Sequence, residues 1–253
     1  MKQWKARFND EQHDVVTRIE NNFSKEKILD SLRMEIDGLS FVGMEFDDFE
    51  LEHEHDFESV SKKFKILKWG KAPNYTYWLQ RYSLTIEIPV QVIEIKNNLT
   101  SKATISFSYS LVEDTKRNSG CRFMLDDERV FPDKVICHSF YLAIGDEKYL
   151  CDEPSLDFET SLLQICKEIK DRFYLKCCFG CLYSDYSPYG KSFFAMMQCY
   201  LSVADQYIRV SGKYGDQPIW KVYESGEQKQ ETYVCDGFKP RINCLGGYRG
   251  NIY

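Results

Sequence analysis

Residues 83–95 read SLTIEIPVQVIEI and residues 103–111 read ATISFSYSL. In both segments apolar side chains alternate with mostly polar ones, which is the period of a β-strand with one buried face. The pair Asn97-Asn98 provides a short polar turn between them. Two such strands form an antiparallel hairpin, and the hairpin predicts an antiparallel β fold. Pro89 cannot donate to a strand ladder, so it predicts an edge position or a bulge.

Further strands are predicted on both sides of this hairpin. Asp37-Gly38 is a favoured two-residue turn between strands at residues 33–36 and 39–42. Residues 28–36 fit the strand period but also fit a helix, so that run is ambiguous. Residues 135–144 form another alternating strand, with His138 among its apolar positions. We interpret His138 as a hydrogen-bonded core histidine rather than a catalytic one.

An acidic run at residues 45–58 contains eight carboxylates together with His53 and His55. On a strand the two histidines would share one face, which would suit a metal ion. Acidic runs are more commonly solvated surfaces. We therefore interpret the run as a solvated strand face whose phenylalanines and leucine are partly packed.

Composition limits the class of protein. Of the 253 residues 43% are hydrophobic and 15% aromatic, which is enough for a core and excludes global disorder. The net charge of −6 argues against a general nucleic-acid binder. No apolar run approaches the ~20 residues that cross a bilayer, and no secretory signal is evident. These features predict a cytoplasmic protein whose ten cysteines are thiols or metal ligands rather than disulfides.

The pattern changes near residue 154, where a helix is predicted. Asp157 and Glu159 place negative charge at its start, as the helix dipole favours. Its apolar positions recur at spacings of three and four and are Phe158, Leu162, Ile165, Ile169 and Phe173. We predict an α+β protein. Residues 1–152 would form an antiparallel, sandwich-like β region. Residues 153–253 would form a helix and a small cysteine-clipped, zinc-knuckle-like region, and the two would share one core because no linker separates them.

Cysteines in the C-terminal region have the spacing of a zinc knuckle. In Cys178-x2-Cys181 two intervening residues let both thiolates reach one ion, and a glycine between them relieves the tight turn. Cys199 and Cys235 would complete a tetrahedral site, the latter at the end of a strand predicted at residues 231–235. The alternative is that these cysteines are small buried apolar residues.

Two catalytic interpretations of the same stretch are disfavoured. A thioredoxin-like pair lies after a strand and begins a helix, whereas here a helix precedes the motif and Ser187-Pro188-Tyr189-Gly190 follows as a turn. Cys177 or Ser184 as a nucleophile would need an imidazole base, and no histidine follows His138. Four thiolates leave no open coordination position, so the predicted zinc is structural.

The motifs resemble those of an uncharacterised bacterial protein family. Its members have C-x2-C, an S-D-Y-x-P-x-G turn, a cysteine after an apolar run and E-T-Y-x-C near the end. Here the corresponding segments are 178–181, 184–190, Cys199 and 231–235. The resemblance is good over residues 155–240 and looser over the strands. It singles out Cys178 rather than Cys177 as the ligand, and it implies architecture without an activity.

The leading functional prediction is a non-enzymatic, zinc-stabilised protein that binds another protein, for example in an immunity-type role. No nucleic acid or membrane partner is expected. Asp185, Tyr186 and Tyr189 are the candidate binding residues, because displayed tyrosines combine a large apolar face with a hydroxyl. The alternative is a hydrolase-like enzyme with a polar cleft between the two regions. Its candidate acid–base residues are His138, Asp185, Tyr186 and Glu231.

Overall fold

A computed structural model describes residues 2–24, 31–71, 73–113, 123–125, 128–130, 133–189, 194, 196–242, 249 and 252–253. Antiparallel strands dominate, with 47% of residues in strands and 18% in helices. The prediction of a β-rich antiparallel fold with few helices is therefore confirmed. The sandwich arrangement and the cysteine clip remain predictions. None of the helices in these ranges is long and apolar enough to span a membrane.

Strands provide most of the elements. In chain order they are β1 (Lys2–Asn9), β2 (Asp14–Asn21), β3 (Leu32–Ile36), β4 (Leu39–Gly43), β5 (Glu50–Leu51), β6 (Lys65–Lys71), β7 (Asn74–Gln80), β8 (Ser83–Glu94), β9 (Thr100–Val112), β10 (Phe123–Leu125), β11 (Glu128–Val130), β12 (Lys134–Ile144), β13 (Glu147–Leu150), β14 (Phe173–Lys176), β15 (Ser184–Tyr186), β16 (Met196–Cys199) and β17 (Glu227–Gln230). The α-helices are α1 (Phe57–Lys63), α2 (Phe158–Ile169) and α3 (Ala204–Tyr207). Short 3-10 helices occur at Glu54–Asp56, Cys178–Gly180, Leu201–Val203, Ile219–Lys221 and Tyr223–Ser225.

The chain forms two compact units. One comprises Met1–Glu87 and Phe107–His138, and the other comprises Ile88–Ser106 and Ser139–Tyr253. The strands β8, β9 and β12 each contribute a segment to both units. The second unit thus includes strand segments that precede the helix, in addition to the C-terminal region predicted from the sequence.

In the first unit the strand order is β12-β9-β8-β1-β2-β3-β4-β5-β7-β6. The β3–β4 hairpin turns at Asp37 and Gly38, whose φ angles are 51° and 76°. Positive φ at both central residues is what a type I′ turn requires, so the predicted turn is confirmed. The ambiguous run resolves into a strand from Leu32, while Ile28 and Leu29 lie outside the described residues.

Phe46 is central to the core of the first unit. Its ring centroid lies 5.0 Å from that of Phe107 and 6.2 Å from that of Trp4. Its carbonyl accepts hydrogen bonds from the buried hydroxyls of Tyr82, at 3.0 Å, and Tyr109. Phe46 and Phe49 of the acidic run are therefore fully packed, whereas Phe57 is half-buried. The two tyrosine hydroxyls satisfy the buried carbonyl of Phe46.

In the second unit the strand order is β13-β12-β9-β8, and β14 pairs with the other side of β8. On that side of β8, pairing with β1 ends at Glu87 and pairing with β14 begins at Gln91. Pro89 falls in this gap, where no donor is needed from it. This is why a strand paired on both sides tolerates the proline.

Helix α2 begins as predicted. The side chain of Asp157 accepts a 3.2 Å hydrogen bond from the backbone N–H of Glu159, which satisfies one of the free donors of the first turn. Phe158 packs edge-to-face on Phe140 of β12, with centroids 5.3 Å apart. The prediction that Phe173 belongs to this helix is wrong, because the helix ends at Ile169 and Phe173 begins β14.

A three-stranded sheet in the order β15-β16-β17 follows the cysteine motif. Beside it the rings of Tyr200 and Tyr207 stack 4.6 Å apart inside a small apolar cluster. The strand predicted at residues 231–235 is wrong. The strand lies at Glu227–Gln230, and a turn begins at Glu231.

Candidate functional site

The Cys178-x2-Cys181 motif forms a tight loop directly after β14. Cys178–Gly180 is a 3-10 turn, and the N–H of Cys181 donates a 3.1 Å hydrogen bond to the carbonyl of Cys178. A Cβ at Gly180 would lie 2.3 Å from the carbonyl oxygen of Leu175. Glycine is therefore required by close approach of the backbone.

Backbone hydrogen bonds bring the other two predicted ligands towards this loop. Cys199 ends β16 and is opposite Ser184 of β15. The N–H of Cys178 donates to the carbonyl of Tyr233 at 2.8 Å, two residues before Cys235. The four predicted ligands thus lie on neighbouring segments, although the local strand predicted around Cys235 does not form.

Burial and the neighbouring thiols both affect the pKa values of cysteines in this region. Burial raises the pKa of the Cys178 thiol, and the charges that Cys199, Cys177, Cys181 and Cys235 would carry raise it further. Burial likewise raises the thiol pKa values of Cys181 and Cys199. In the described ranges, however, no three or more His, Cys, Asp or Glu side chains are arranged to hold a metal ion. The chemistry of the four thiols suits zinc, and zinc remains a prediction.

The eight cysteines of the described ranges are free thiols. Cys166 and Cys177 are buried outside the predicted ligand set, and burial raises the pKa of each thiol to about 12. Such thiols stay protonated and behave as small apolar residues. Cys121 and Cys244 lie outside the described residues.

Asp185, one of the candidate binding residues, is fully buried in a polar network. The hydroxyl of Tyr207 donates to its carboxylate at 2.7 Å, and the guanidinium of Arg241 lies 4.0 Å away. Arg241 also donates to the carbonyls of Cys181, Leu182 and Ser184. The network ties the segments around the cysteine loop together, so Asp185 has a structural position and no access to a partner in this conformation.

Tyr186 and Glu231 are buried as well. The Tyr186 hydroxyl donates to the Glu231 carboxylate at 3.1 Å. Burial raises the pKa of Tyr186 well above its ordinary value, and the negative charge of Glu231 adds to the effect. Three of the four predicted acid–base residues are thus enclosed in the second unit.

Tyr189 is the solvent-exposed candidate binding residue and lies in the turn that follows β15. Its side chain is 76% exposed, yet its ring packs edge-to-face on Trp220 and Tyr223 at centroid distances of 4.9 and 5.4 Å. The Tyr223 hydroxyl is 3.2 Å from the Ser187 hydroxyl. We call Tyr189, Trp220 and Tyr223 the aromatic cluster. Sequence analysis missed Trp220 and Tyr223, because they lie some thirty residues from Tyr189 and nothing in the local pattern links them.

His138 belongs to the first unit and is exposed. Its predicted position in the core is wrong, while a hydrogen bond is present: its Nε2 lies 2.7 Å from the Ser110 hydroxyl. The alternation that suggested burial does hold further along β12, at Phe140 and Leu142. The ring of α2 residue Phe158 covers the strand at Phe140, and the side chain at 138 is left uncovered.

The acidic run is not a continuous strand. His53 and His55 stack 5.4 Å apart at a 3-10 turn and are exposed, outside any metal-holding group of the described residues. Asp47 and Asp48 are partly buried, and burial raises their carboxyl pKa values to about 6 and about 7. The solvated-strand interpretation is therefore wrong for this part of the run.

Comparison with protein-family models assigns the chain to a family. The sequence model of a family described as "Family of unknown function (DUF6304)" matches residues 2–184. The chain belongs to this family. The match includes Cys178 and Cys181 and ends before Cys199 and Cys235. A comparison with curated proteins gave no match, and a comparison with solved structures gave none.

Proposed function

We propose that the protein is a zinc-stabilised binding protein that recognises another protein through the aromatic cluster. The zinc would be structural and held by Cys178, Cys181, Cys199 and Cys235. An immunity-type role in the cytoplasm of a bacterial cell would suit such a protein. The exposed, edge-to-face-packed ring of Tyr189 is the observation that carries the proposal.

The proposal of a structural zinc ion rests on the four cysteine thiols that would bind it. Four thiols on neighbouring segments suit a closed tetrahedral site, and in a reducing compartment they would stay available to the metal. Burial and the neighbouring thiols raise the pKa values of Cys178, Cys181 and Cys199 and so disfavour their thiolate forms. A bound divalent cation would instead favour the thiolate forms, because the metal–sulfur bonds offset the free-energy cost of deprotonating buried thiols.

The binding part rests on the packing of Tyr189. A largely exposed tyrosine that leans on Trp220 and Tyr223 has less conformational freedom to lose when a partner contacts it. Tyrosine and tryptophan are also the residues that most often dominate the energy of protein interfaces. An apolar ring with a hydroxyl suits a folded protein surface that offers an apolar pocket rimmed by acceptors.

The test compares two tyrosines of equal exposure. Tyr189 and Tyr214 are both 76% exposed, and no described ring packs on Tyr214. Proteins captured from a lysate of the source cells by wild type would be identified by mass spectrometry. The best-captured candidate would then be purified, and its Kd measured against wild type, Tyr189→Ala and Tyr214→Ala.

We expect Tyr189→Ala to weaken binding by about 30-fold, the equivalent of a 2 kcal/mol hot spot, and Tyr214→Ala by much less. Bound zinc and the thermal midpoint should stay at wild-type values in both variants. Equal effects of the two substitutions, or loss of zinc in Tyr189→Ala, would contradict a recognition role for the cluster.

A further inference from the structure

Three neighbouring strands of the first unit place two hydroxyls and an imidazole in a row. The Ser83 hydroxyl of β8 is 2.7 Å from the Ser110 hydroxyl of β9. The Ser110 hydroxyl is in turn 2.7 Å from Nε2 of His138 on β12. Both distances are those of good O–H···O and O–H···N hydrogen bonds.

The pleat of the sheet explains this alignment. In β9, Tyr109 and Leu111 point into the core and are buried, so Ser110 between them faces the opposite side. In β8, Leu84 is fully buried and Ser83 is turned away from it. The row is therefore accessible from solvent, with His138 at its exposed end.

A shallow surface depression of about 420 Å³ is lined by Ser83 and Ser110, a size that admits a small organic molecule. Arg81 is a cationic side chain of the same lining, and Asp10, Glu11 and Glu113 are acidic ones. The excess of carboxylates disfavours anions, so an uncharged or cationic ligand suits the depression.

The backbone beside the depression is strained. Arg81 has a φ of 55°, which costs a non-glycine residue free energy. The Asp133 carboxylate holds it there by accepting the Arg81 N–H at 2.6 Å, and the Arg81 guanidinium lies 2.8 Å from the Glu113 carboxylate. Strained residues that surrounding groups fix in this way concentrate at functional sites.

We propose that Ser110 is a nucleophile that attacks small uncharged or cationic carboxylic esters, with His138 as its general base. The Ser110 oxygen would bond to the ester carbonyl carbon while its proton passes to Nε2 of His138. The Ser83 hydroxyl would donate to the Ser110 oxygen and hold it in position for attack, while negative charge develops on the ester carbonyl oxygen. The alcohol would leave with the proton from His138, and water would hydrolyse the acyl-serine.

This activity is independent of the binding function proposed above, because it uses residues of the first unit and needs no zinc. The sequence contained only part of the signal. His138 was singled out as a candidate base, but its partner Ser110 looked like one of several serines on the polar face of β9.

A serine-reactive fluorophosphonate probe tests the proposal on the full-length protein. Attack by Ser110 on phosphorus would form an O–P bond and expel fluoride, and peptide mapping would locate the label. We expect labelling at Ser110 in wild type. Ser110→Ala should abolish it, and His138→Gln should slow it by at least about tenfold through loss of the base. The control Ser108→Ala, two residues along β9, should label like wild type.

Hydrolysis of 4-nitrophenyl acetate should follow the same ranking across these proteins. Absence of label in wild type, label at another residue, or undiminished labelling of Ser110→Ala would overturn the proposal. If Ser110→Ala failed to fold, peptide mapping of wild type and the rate of His138→Gln would still decide between the outcomes.

Discussion

The hydroxyl of Tyr207 donates a 2.7 Å hydrogen bond to the carboxylate of Asp185, and both side chains are fully buried. Tyr207 also accepts a 2.5 Å hydrogen bond from the guanidinium of Arg241. The phenol thus connects a buried anion to a buried cation whose closest approach is 4.0 Å. Burial of charge is tolerable only when such bonds compensate for lost hydration.

Replacing Tyr207 by phenylalanine should therefore destabilise the second unit. The change deletes both hydrogen bonds and leaves buried groups less satisfied, which costs about 1–3 kcal/mol. Urea denaturation would measure the loss. Tyr223→Phe is the control, because its hydroxyl meets Ser187 in a partly exposed position. A loss in Tyr207→Phe no larger than in this control would contradict the assigned role of the network.

Substitution of a predicted ligand should remove zinc. Cys178→Ser and Cys181→Ser are expected to lower bound zinc from about one equivalent towards zero and to reduce the thermal midpoint, because metal binding at a structural site contributes to folding. Elemental analysis and calorimetry would measure both effects. Cys137→Ser is the control, since Cys137 lies in the first unit and bonds weakly to the Ser108 carbonyl. An unchanged midpoint after exhaustive chelation of wild type would contradict the zinc prediction.

The carboxyl of Asp48 should make stability depend on pH. Burial raises its pKa from 3.8 to about 7, and the negative charges of Asp47 and Glu45 contribute. The folded state therefore holds this proton more tightly than the unfolded state, and its stabilising effect is lost as pH rises from about 4 through about 7.

Asp48→Asn removes this penalty and should gain stability relative to wild type as the pH rises through that window. The gain is on the order of 1–2 kcal/mol, because one pKa unit corresponds to about 1.4 kcal/mol and partial exposure reduces the effect.

The stability change of Asp37→Asn should have the opposite dependence on pH. The pKa of Asp37 is lowered by the hydrogen bond and charge of Lys63, so its contribution is present at neutral pH and lost on acidification. Denaturation midpoints between about pH 2 and 8 would check both signs, since the Asp37 contribution is lost only below its ordinary pKa of 3.8.

A methyl group at position 180 should disturb the cysteine loop. In Gly180→Ala the new Cβ would lie 2.3 Å from the Leu175 carbonyl oxygen, a backbone atom that cannot turn aside. We expect a cost of about 1–3 kcal/mol, typical of overpacking. Gly237→Ala is the matched control. Its Cβ would meet the end of the Leu201 side chain at 2.4 Å, and that side chain is 42% exposed and can rotate away. Equal denaturation midpoints for the two variants would refute the requirement for glycine.

Local patterns predicted the elements that local interactions decide. The alternation in β8 and β9, the positive-φ turn at Asp37-Gly38 and the start of α2 at Asp157 all depend on residues within a few positions of one another. The end of α2 was harder to predict. Phe173 continues the helical spacing, but pairing with Glu94 of β8 draws it into a strand.

The candidate sites show where local information ends. The sequence by itself determined that Cys178 and Cys181 share one tight loop, because two residues between them leave little choice of geometry. It also determined that Tyr189 lies in a turn, through Pro188. Tertiary structure alone decided that Tyr189 is displayed while Asp185 and Tyr186 are buried, and that Ser110 meets His138. Period and spacing specify which face of an element a side chain occupies, whereas the elements that cover that face come from distant parts of the chain and are fixed only when their surfaces pack together.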